Sequence, residues 1–175
     1  GEIMDVIIMN AAPGVGKTTI LKLLENKLSN GFAIIDGDDV GRTIPLENTL
    51  DWLNLIQDNI VACAKNFKEH DIKTLIVSFV FPSKERLQRI VSLLEKEENN
   101  VYHIKLICEP EILKKRIKRR NNQKLLSIHR ALECNAEIKK INADYCIDTT
   151  QKSPDQVMNI VVDGVAKLTD RKEKN

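Results

Sequence analysis

Short apolar runs alternate with stretches of helical periodicity along almost the whole chain. Five runs rich in β-branched residues predict strands that are buried on both faces. These runs lie at 6–9, 32–35, 73–79, 101–108 and 144–147. Between them, apolar residues recur at steps of three and four, which predicts amphipathic helices such as one over 46–68. The alternation predicts an α/β fold with helices on both sides of a five-stranded parallel sheet.

The composition is that of an ordinary globular protein. The chain has 175 residues, 42% of them hydrophobic and 30% charged, so one domain over 1–175 is expected. Its net charge of +2 provides no strong field to attract nucleic acid or membranes. The four cysteines form no C-x-x-C pair, and no apolar run is long enough to span a membrane. We therefore expect a cytoplasmic protein without nucleic-acid or membrane partners.

A phosphate-binding loop is predicted directly after the first strand. AAPGVGKT, at 11–18, fits the pattern G-x-x-x-x-G-K-[ST] except at Ala11, and it precedes a helix as the pattern requires. Gly14 and Gly16 allow backbone N–H groups to converge on phosphate oxygens, Lys17 reaches the β- and γ-phosphates, and the Thr18 hydroxyl binds Mg²⁺. The predicted nucleotide-binding residues here are Ala12, Pro13, Gly14, Val15, Gly16, Lys17, Thr18 and Thr19. At Ala11 we expect β-like backbone and close packing.

Three carboxylates follow the second predicted strand, in FAIIDGDDV. Asp36, Asp38 and Asp39 are expected at the carboxyl edge of the sheet, beside the phosphate loop, where α/β proteins bind ligands. One carboxylate there can orient Mg²⁺, and another can accept a proton from a substrate hydroxyl. The alternative is that Asp38 or Asp39 only caps a helix. No N-K-x-D motif is present, which argues against a guanine-nucleotide switch. The third strand ends in Ser78 and Phe79 rather than in an acidic residue, which argues against a motor or assembly ATPase.

NAAPGVGKTT followed by IIDGDDV resembles the small P-loop kinases of the nucleoside-monophosphate-kinase superfamily, notably the shikimate, gluconate and adenylylsulfate kinases. The stretch VSFVFPSKER is also similar to the S-F-x-x-P of adenylylsulfate kinases through Ser78, Phe79 and Pro82. The resemblance implies a three-layer α/β/α P-loop NTPase fold with a lid segment, and it implies ATP and Mg²⁺ as cofactors. It further implies that Asp36 organises the metal and that Asp38 binds the acceptor hydroxyl as its base.

The basic segment ILKKRIKRRNNQK, at 112–124, has three interpretations. A nucleic-acid surface is disfavoured because aromatic residues make up only 4% of the chain. A solvated helix face needs no further explanation. In the kinases that the chain resembles, this region is a lid whose arginines close over ATP, which makes 116–130 the expected lid. Arg116 and Arg120 share a helix face and are the predicted catalytic arginines, with Arg119 beside them. The segment after the last strand resembles the loop that touches the base in these kinases, which implies that Thr149 contacts the base.

The acceptor is expected between the turn after the second strand, the helix over 46–68 and the end of the third strand. The residues predicted to bind it are Asp38, Asp39, Arg42, Trp52, Phe81 and Arg86. Trp52 can equally be a core residue and Arg86 a surface residue. The sequence predicts a monomeric or homodimeric kinase that phosphorylates a hydroxyl of a small molecule. Two alternatives stay open: a nucleoside or nucleotide kinase, and a regulatory nucleotide-binding protein that hydrolyses ATP slowly.

Overall fold

The computed structural model describes residues 2–45, 50–120 and 128–170, in which strands and helices alternate. The strands are β1 (Asp5–Ala11), β2 (Phe32–Asp36), β3 (Thr74–Phe79), β4 (Asn100–Ile107) and β5 (Tyr145–Asp148). The helices are α1 (Lys17–Lys27), α2 (Leu50–Glu69), α3 (Lys84–Lys96), α4 (Pro110–Arg119), α5 (Ile128–Lys140) and α6 (Pro154–Asp170). A single 3₁₀ turn, Gly37–Asp39, follows β2. The predicted helix over 46–68 begins at Leu50, and 46–49 lie outside the described residues.

All five strands are parallel, in the order β2-β3-β1-β4-β5. The predicted five-stranded parallel sheet is therefore confirmed. β1 lies at its centre, so the loop that follows β1 emerges in the middle of the carboxyl edge, between the chain segments that follow β3 and β4. This is the position at which doubly wound sheets bind their ligands.

Two apolar layers hold the helices on the sheet. On one face, Ile7 and Met9 of β1 pack with α1 and α6, whereas on the other face Val6 and Ile8 pack with α2 and α3. This alternation along β1 follows from the two-residue period of a strand, and it explains why the strand reads as one continuous apolar run. No helix in the described part of the chain is both long and apolar enough to cross a membrane.

Helix α6 begins at a reciprocal cap. The Ser153 hydroxyl accepts a hydrogen bond from the Gln156 N–H, at 3.2 Å, while Gln156 Oε1 accepts one from the Ser153 N–H, at 2.8 Å. Pro154 occupies the first helical position, where its missing N–H has no cost. The segment between β5 and α6 is thereby held in a fixed path along the carboxyl edge.

Candidate nucleotide and acceptor site

The loop after β1 has the backbone that phosphate binding requires. Gly14 and Gly16 both have positive φ, 85° and 120°, which side chains other than glycine rarely tolerate. A Cβ on Gly14 would also lie 2.5 Å from Cγ1 of Ile117, so α4 packs directly on the loop. Ala11 is fully buried as the last residue of β1 and has no positive φ. The expectation for that position is confirmed, because a strand end tolerates a methyl group.

The Lys17 side chain curls over the loop. Its Nζ donates to the carbonyl oxygens of Ala11, at 2.7 Å, and Ala12, at 3.1 Å. Burial lowers the pKa of Lys17 to about 8, against the opposing effects of Asp38 and Asp36. An ammonium group that is removed from water and close to two carboxylates is well suited to a polyanionic ligand, which would restore its favourable charge environment.

The turn after β2 brings the carboxylates towards Lys17. Asp36 caps the 3₁₀ turn, and its Oδ1 accepts a hydrogen bond from the Asp38 N–H at 3.0 Å. Burial raises the pKa of the Asp36 carboxyl, although this hydrogen bond opposes the effect. Asp38 and Asp39 are exposed. The capping role thus belongs to Asp36, and it leaves the carboxylates of Asp38 and Asp39 accessible from solution.

A cavity of about 280 Å³ opens beside the loop. Its floor is apolar and its rim is cationic, which suits a nucleoside with phosphates attached. The lining residues are Val15, Gly16, Thr19, Ile20, Leu106, Arg116, Arg119, Arg120, Thr149, Lys152, Pro154 and Val157. Of the other predicted loop residues, Pro13 lies in the turn, and Thr18 is exposed in the first turn of α1. The structure therefore brings the predicted loop, the α4 arginines and Thr149 together around one cavity.

The two predicted arginines are placed differently. Arg116 Nη1 donates to the Val15 carbonyl, at 3.3 Å, and to the Thr149 hydroxyl, at 2.8 Å. Its Nη2 donates to the Thr149 carbonyl at 2.6 Å, so Arg116 ties α4 to both walls of the cavity. Arg120 instead reaches towards Gly16, and its Nη2 lies 4.0 Å from where a Cβ on Gly16 would be. Residues 121–127 of the predicted lid lie outside the described residues.

The predicted acceptor residues divide into two groups. Asp38, Asp39 and Arg42 line an open hollow of about 650 Å³, together with Val40, Gly41, Asn59, Ala62, Cys63 and Asn66. Asn59 Nδ2 fixes the wall of this hollow through a bond of 2.8 Å to the Val40 carbonyl. Asn59 and Asn66 of α2 were not among the predicted residues. Their only sequence signal is a seven-residue spacing, which places them on one helix face.

The other acceptor candidates lie on the α2–α3 side of the turn. Phe81 is 0% exposed and packs edge-on against Phe79, with ring centroids 5.7 Å apart, so its side chain belongs to the core rather than to a cleft wall. Trp52 packs on the same core, with its ring 6.1 Å from that of Phe79. Arg86 is partly buried in the first turn of α3, and its Nη1 has no hydrogen-bond partner among the described residues. Of these three side chains, that of Arg86 is the one that stays a candidate for contact with a ligand.

Two buried asparagines fix the loops on either side of the phosphate loop. Asn10 pairs with the backbone of Phe81, donating to its carbonyl at 3.0 Å and accepting from its N–H at 2.9 Å. Asn135 pairs in the same way with Cys108, at 2.7 Å and 3.2 Å. Each amide replaces a neighbouring strand at a point where the ladder has ended, because buried backbone groups require partners.

We expect the replacement of Asn10 by alanine to lower the free energy of unfolding by about 2–4 kcal/mol, since it leaves a buried N–H and a buried carbonyl unpaired. Urea denaturation measures this loss. The matched control is Asn26→Ala, which removes one exposed bond of 3.3 Å to the Lys22 carbonyl. Equal effects of the two substitutions would show that the Asn10 bridge contributes nothing.

Comparisons with known proteins identify the family and the fold of the chain. The profile of a family described as an AAA domain matches residues 7–137, which is most of the chain. A protein of Methanocaldococcus jannaschii named "Putative adenylate kinase" is 26% identical over 184 residues, covering 95% of this chain and 89% of the relative.

Two solved structures share the fold. A gluconokinase from Sinorhizobium meliloti 1021 superposes with a TM-score of 0.70 at 14% identity, covering 99% of this chain and 98% of its own. An APS kinase of Mycobacterium tuberculosis, in complex with AMPPNP and APS, superposes with a TM-score of 0.67 at 18% identity, covering 94% and 99%. The chain therefore belongs to the P-loop family described as the AAA domain, and its fold is that of the nucleoside-monophosphate-kinase-like P-loop kinases.

Proposed function

We propose that the protein transfers the γ-phosphoryl group of ATP, with Mg²⁺, to a hydroxyl group of a small-molecule acceptor. The observation that carries this proposal is the convergence of Lys17, Asp36 and Asp38 beside a nucleotide-sized cavity. A phosphate-binding ammonium group and an accessible carboxylate are then adjacent. This is the pairing that transfer to a hydroxyl needs, because the oxygen must lose a proton as it attacks phosphorus.

Each group has a distinct task in the transfer. The loop N–H groups and Lys17 hold the β- and γ-phosphates, and Arg120 offsets the charge that spreads over the transferred group. As the acceptor oxygen forms its bond to the γ-phosphorus and ADP leaves, the hydroxyl proton passes to Asp38. Arg116 is predicted to contact phosphate as well, and its guanidinium also binds the protein on both sides of the cavity. Its bonds to Val15 and Thr149 join the two sides of the cavity.

The residues present fit Mg²⁺. Thr18 offers an exposed hydroxyl in the first turn of α1, and Asp36 offers a carboxylate whose pKa is raised by burial, so a bound cation would stabilise its charged form. Hydroxyl, carboxylate, water and phosphate oxygens are the ligands that Mg²⁺ prefers. Thr18 and Asp36 would hold the ion, which would neutralise phosphate charge when it is bound with ATP.

The acceptor is proposed to be anionic, such as a sugar acid, a shikimate-like acid or an adenylylsulfate-like compound. Arg42 lines the hollow next to Asp38, and the Arg86 guanidinium has a buried nitrogen without a described partner. An unpaired buried donor favours a ligand that accepts hydrogen bonds, and guanidinium groups bind carboxylate, sulfate and phosphate especially well. The names of the gluconokinase and APS kinase neighbours are consistent with such an acceptor.

A nucleotide kinase is the second candidate, favoured by the name of the M. jannaschii relative. A nucleoside monophosphate also carries an anionic group, which Arg86 could bind. Incubation with Mg-ATP and separate pools of hydroxy acids, nucleosides and nucleoside monophosphates distinguishes the candidates. ADP release above the acceptor-free rate by the hydroxy-acid pool supports the first, and stimulation by monophosphates supports the second. ATP binding without stimulation by any pool would instead indicate the regulatory alternative.

Nucleotide binding is expected to take up a proton at alkaline pH. The pKa of Lys17 is about 8 in the free protein, and bound phosphates raise it, so the fraction of lysine that must gain a proton increases with pH. We expect uptake of about 0.1 proton at pH 7, about 0.5 at pH 8 and about 0.9 at pH 9. Calorimetry in buffers of different ionisation enthalpy measures this uptake. An uptake that stays at zero between pH 7 and 9 would contradict the lowered pKa of Lys17.

A further inference from the structure

Ser78 has a buried hydroxyl that the fold does not use. The residue is 1% exposed, one position before the end of β3. Its Oγ has no hydrogen-bond partner among the described residues. A buried hydroxyl without a partner lowers stability, and alanine would fill this place without that cost. We therefore expect this hydroxyl to form a hydrogen bond when a ligand binds.

The sheet places this hydroxyl beside the metal-binding carboxylate. Ser78 pairs in register with Asp36 on β2 and with Met9 on β1. Alternation along β3 puts Ser78 on the same face as Ile76, which packs against α1. Asp36 follows Phe32 and Ile34 on that same face of β2. Asp36 and Ser78 are thus neighbours on the side of the sheet where α1 begins with Lys17 and Thr18.

A neutral group suits this position better than an acid. Adjacent strands lie about 4.8 Å apart, so a carboxylate at position 78 would directly oppose Asp36 and repel it. A serine hydroxyl can donate or accept a hydrogen bond here without adding a second negative charge to the pair.

We propose that Ser78 is a positioning residue for the metal–nucleotide complex, in which its hydroxyl binds a water ligand of Mg²⁺ next to Asp36. This inference rests on the proposed function, because it requires a nucleotide that carries Mg²⁺ at the loop. Many P-loop ATPases have an acidic residue at the end of the third strand. In this chain Ser78 occupies that position. Asp36 then supplies the negative charge that attracts the metal ion, and Ser78 orients the water ligand.

The test compares the affinity of a fluorescent ADP analogue with Mg²⁺ and with EDTA, in the wild type and in Ser78→Ala and Ser78→Cys. Cysteine nearly preserves the side-chain volume but is a weak hydrogen-bonding group. We expect the metal-free affinity to stay within twofold of the wild type in both variants. The increase in affinity produced by Mg²⁺ is expected to fall by about three- to tenfold in both. The melting temperature of nucleotide-free Ser78→Ala is expected to equal or exceed that of the wild type.

Several results would overturn the inference. An unchanged Mg²⁺ effect in Ser78→Ala would remove the hydroxyl from the metal site. A lower melting temperature, or an equal loss of affinity with and without Mg²⁺, would indicate a structural role for Ser78. These results leave the proposed function intact, whereas a wild-type protein that binds no nucleotide at all would overturn both proposals.

Discussion

Replacing Lys17 by alanine is expected to lower kcat/KM for phosphoryl transfer by on the order of a thousandfold. The ammonium group is partly buried between the loop carbonyls and the carboxylates, so no water molecule can replace its charge at the same point. Its loss also removes the partner that balances Asp36 and Asp38. Initial rates of ADP release with a saturating acceptor measure the effect.

The matched control for this substitution is Lys22→Ala, which removes an exposed lysine from the same helix. We expect Lys22→Ala to retain the wild-type rate within twofold, because a surface charge one turn further along α1 contributes little. A Lys17→Ala variant that keeps more than a third of the wild-type kcat/KM would exclude Lys17 from phosphate binding.

The Asp38→Asn substitution is expected to reduce kcat by on the order of a hundredfold or more, while the affinity for ATP changes little. The amide keeps the size of the side chain and leaves the hydrogen bond from the Asp38 N–H to Asp36 in place. It cannot accept the proton of the acceptor hydroxyl. Single-turnover transfer and ATP titration, measured on the same preparation, separate the two effects.

Asp163→Asn on the exposed face of α6 controls for the change in net charge, and full activity is expected of it. Equal kcat values for Asp38→Asn and the wild type would remove Asp38 from the mechanism and shift attention to Asp39.

The sequence predicts those parts of the site whose functional residues lie close together in the chain. The phosphate loop, the start of α1 and the turn after β2 each lie within one short segment, so their spacing alone specifies their geometry. The fold class follows from the alternation of apolar runs with helical periodicity for the same reason. Ala11 is predictable as well, because a strand end tolerates a small side chain.

The rest depends on contacts between distant segments. Arg116 binds Val15, which lies 101 positions away, and Asn10 binds Phe81, which lies 71 positions away. No local pattern shows that an arginine on a basic helix contacts backbone carbonyls of two distant segments. Phe81 is a residue that its position in the chain places wrongly. Its position after the third strand suggests a cleft wall, but its side chain packs on Phe79 in the core.

The most direct test of the account is transfer of label from [γ-³²P]ATP to a small molecule. The protein is incubated with Mg-ATP and the pools of hydroxy acids, nucleosides and nucleoside monophosphates, and the products are separated from inorganic phosphate. The account predicts a labelled hydroxyl compound from one pool, formed by the wild type and absent with Lys17→Ala. Label that appears only as inorganic phosphate, at a rate that no pool changes, would contradict the assignment of a kinase.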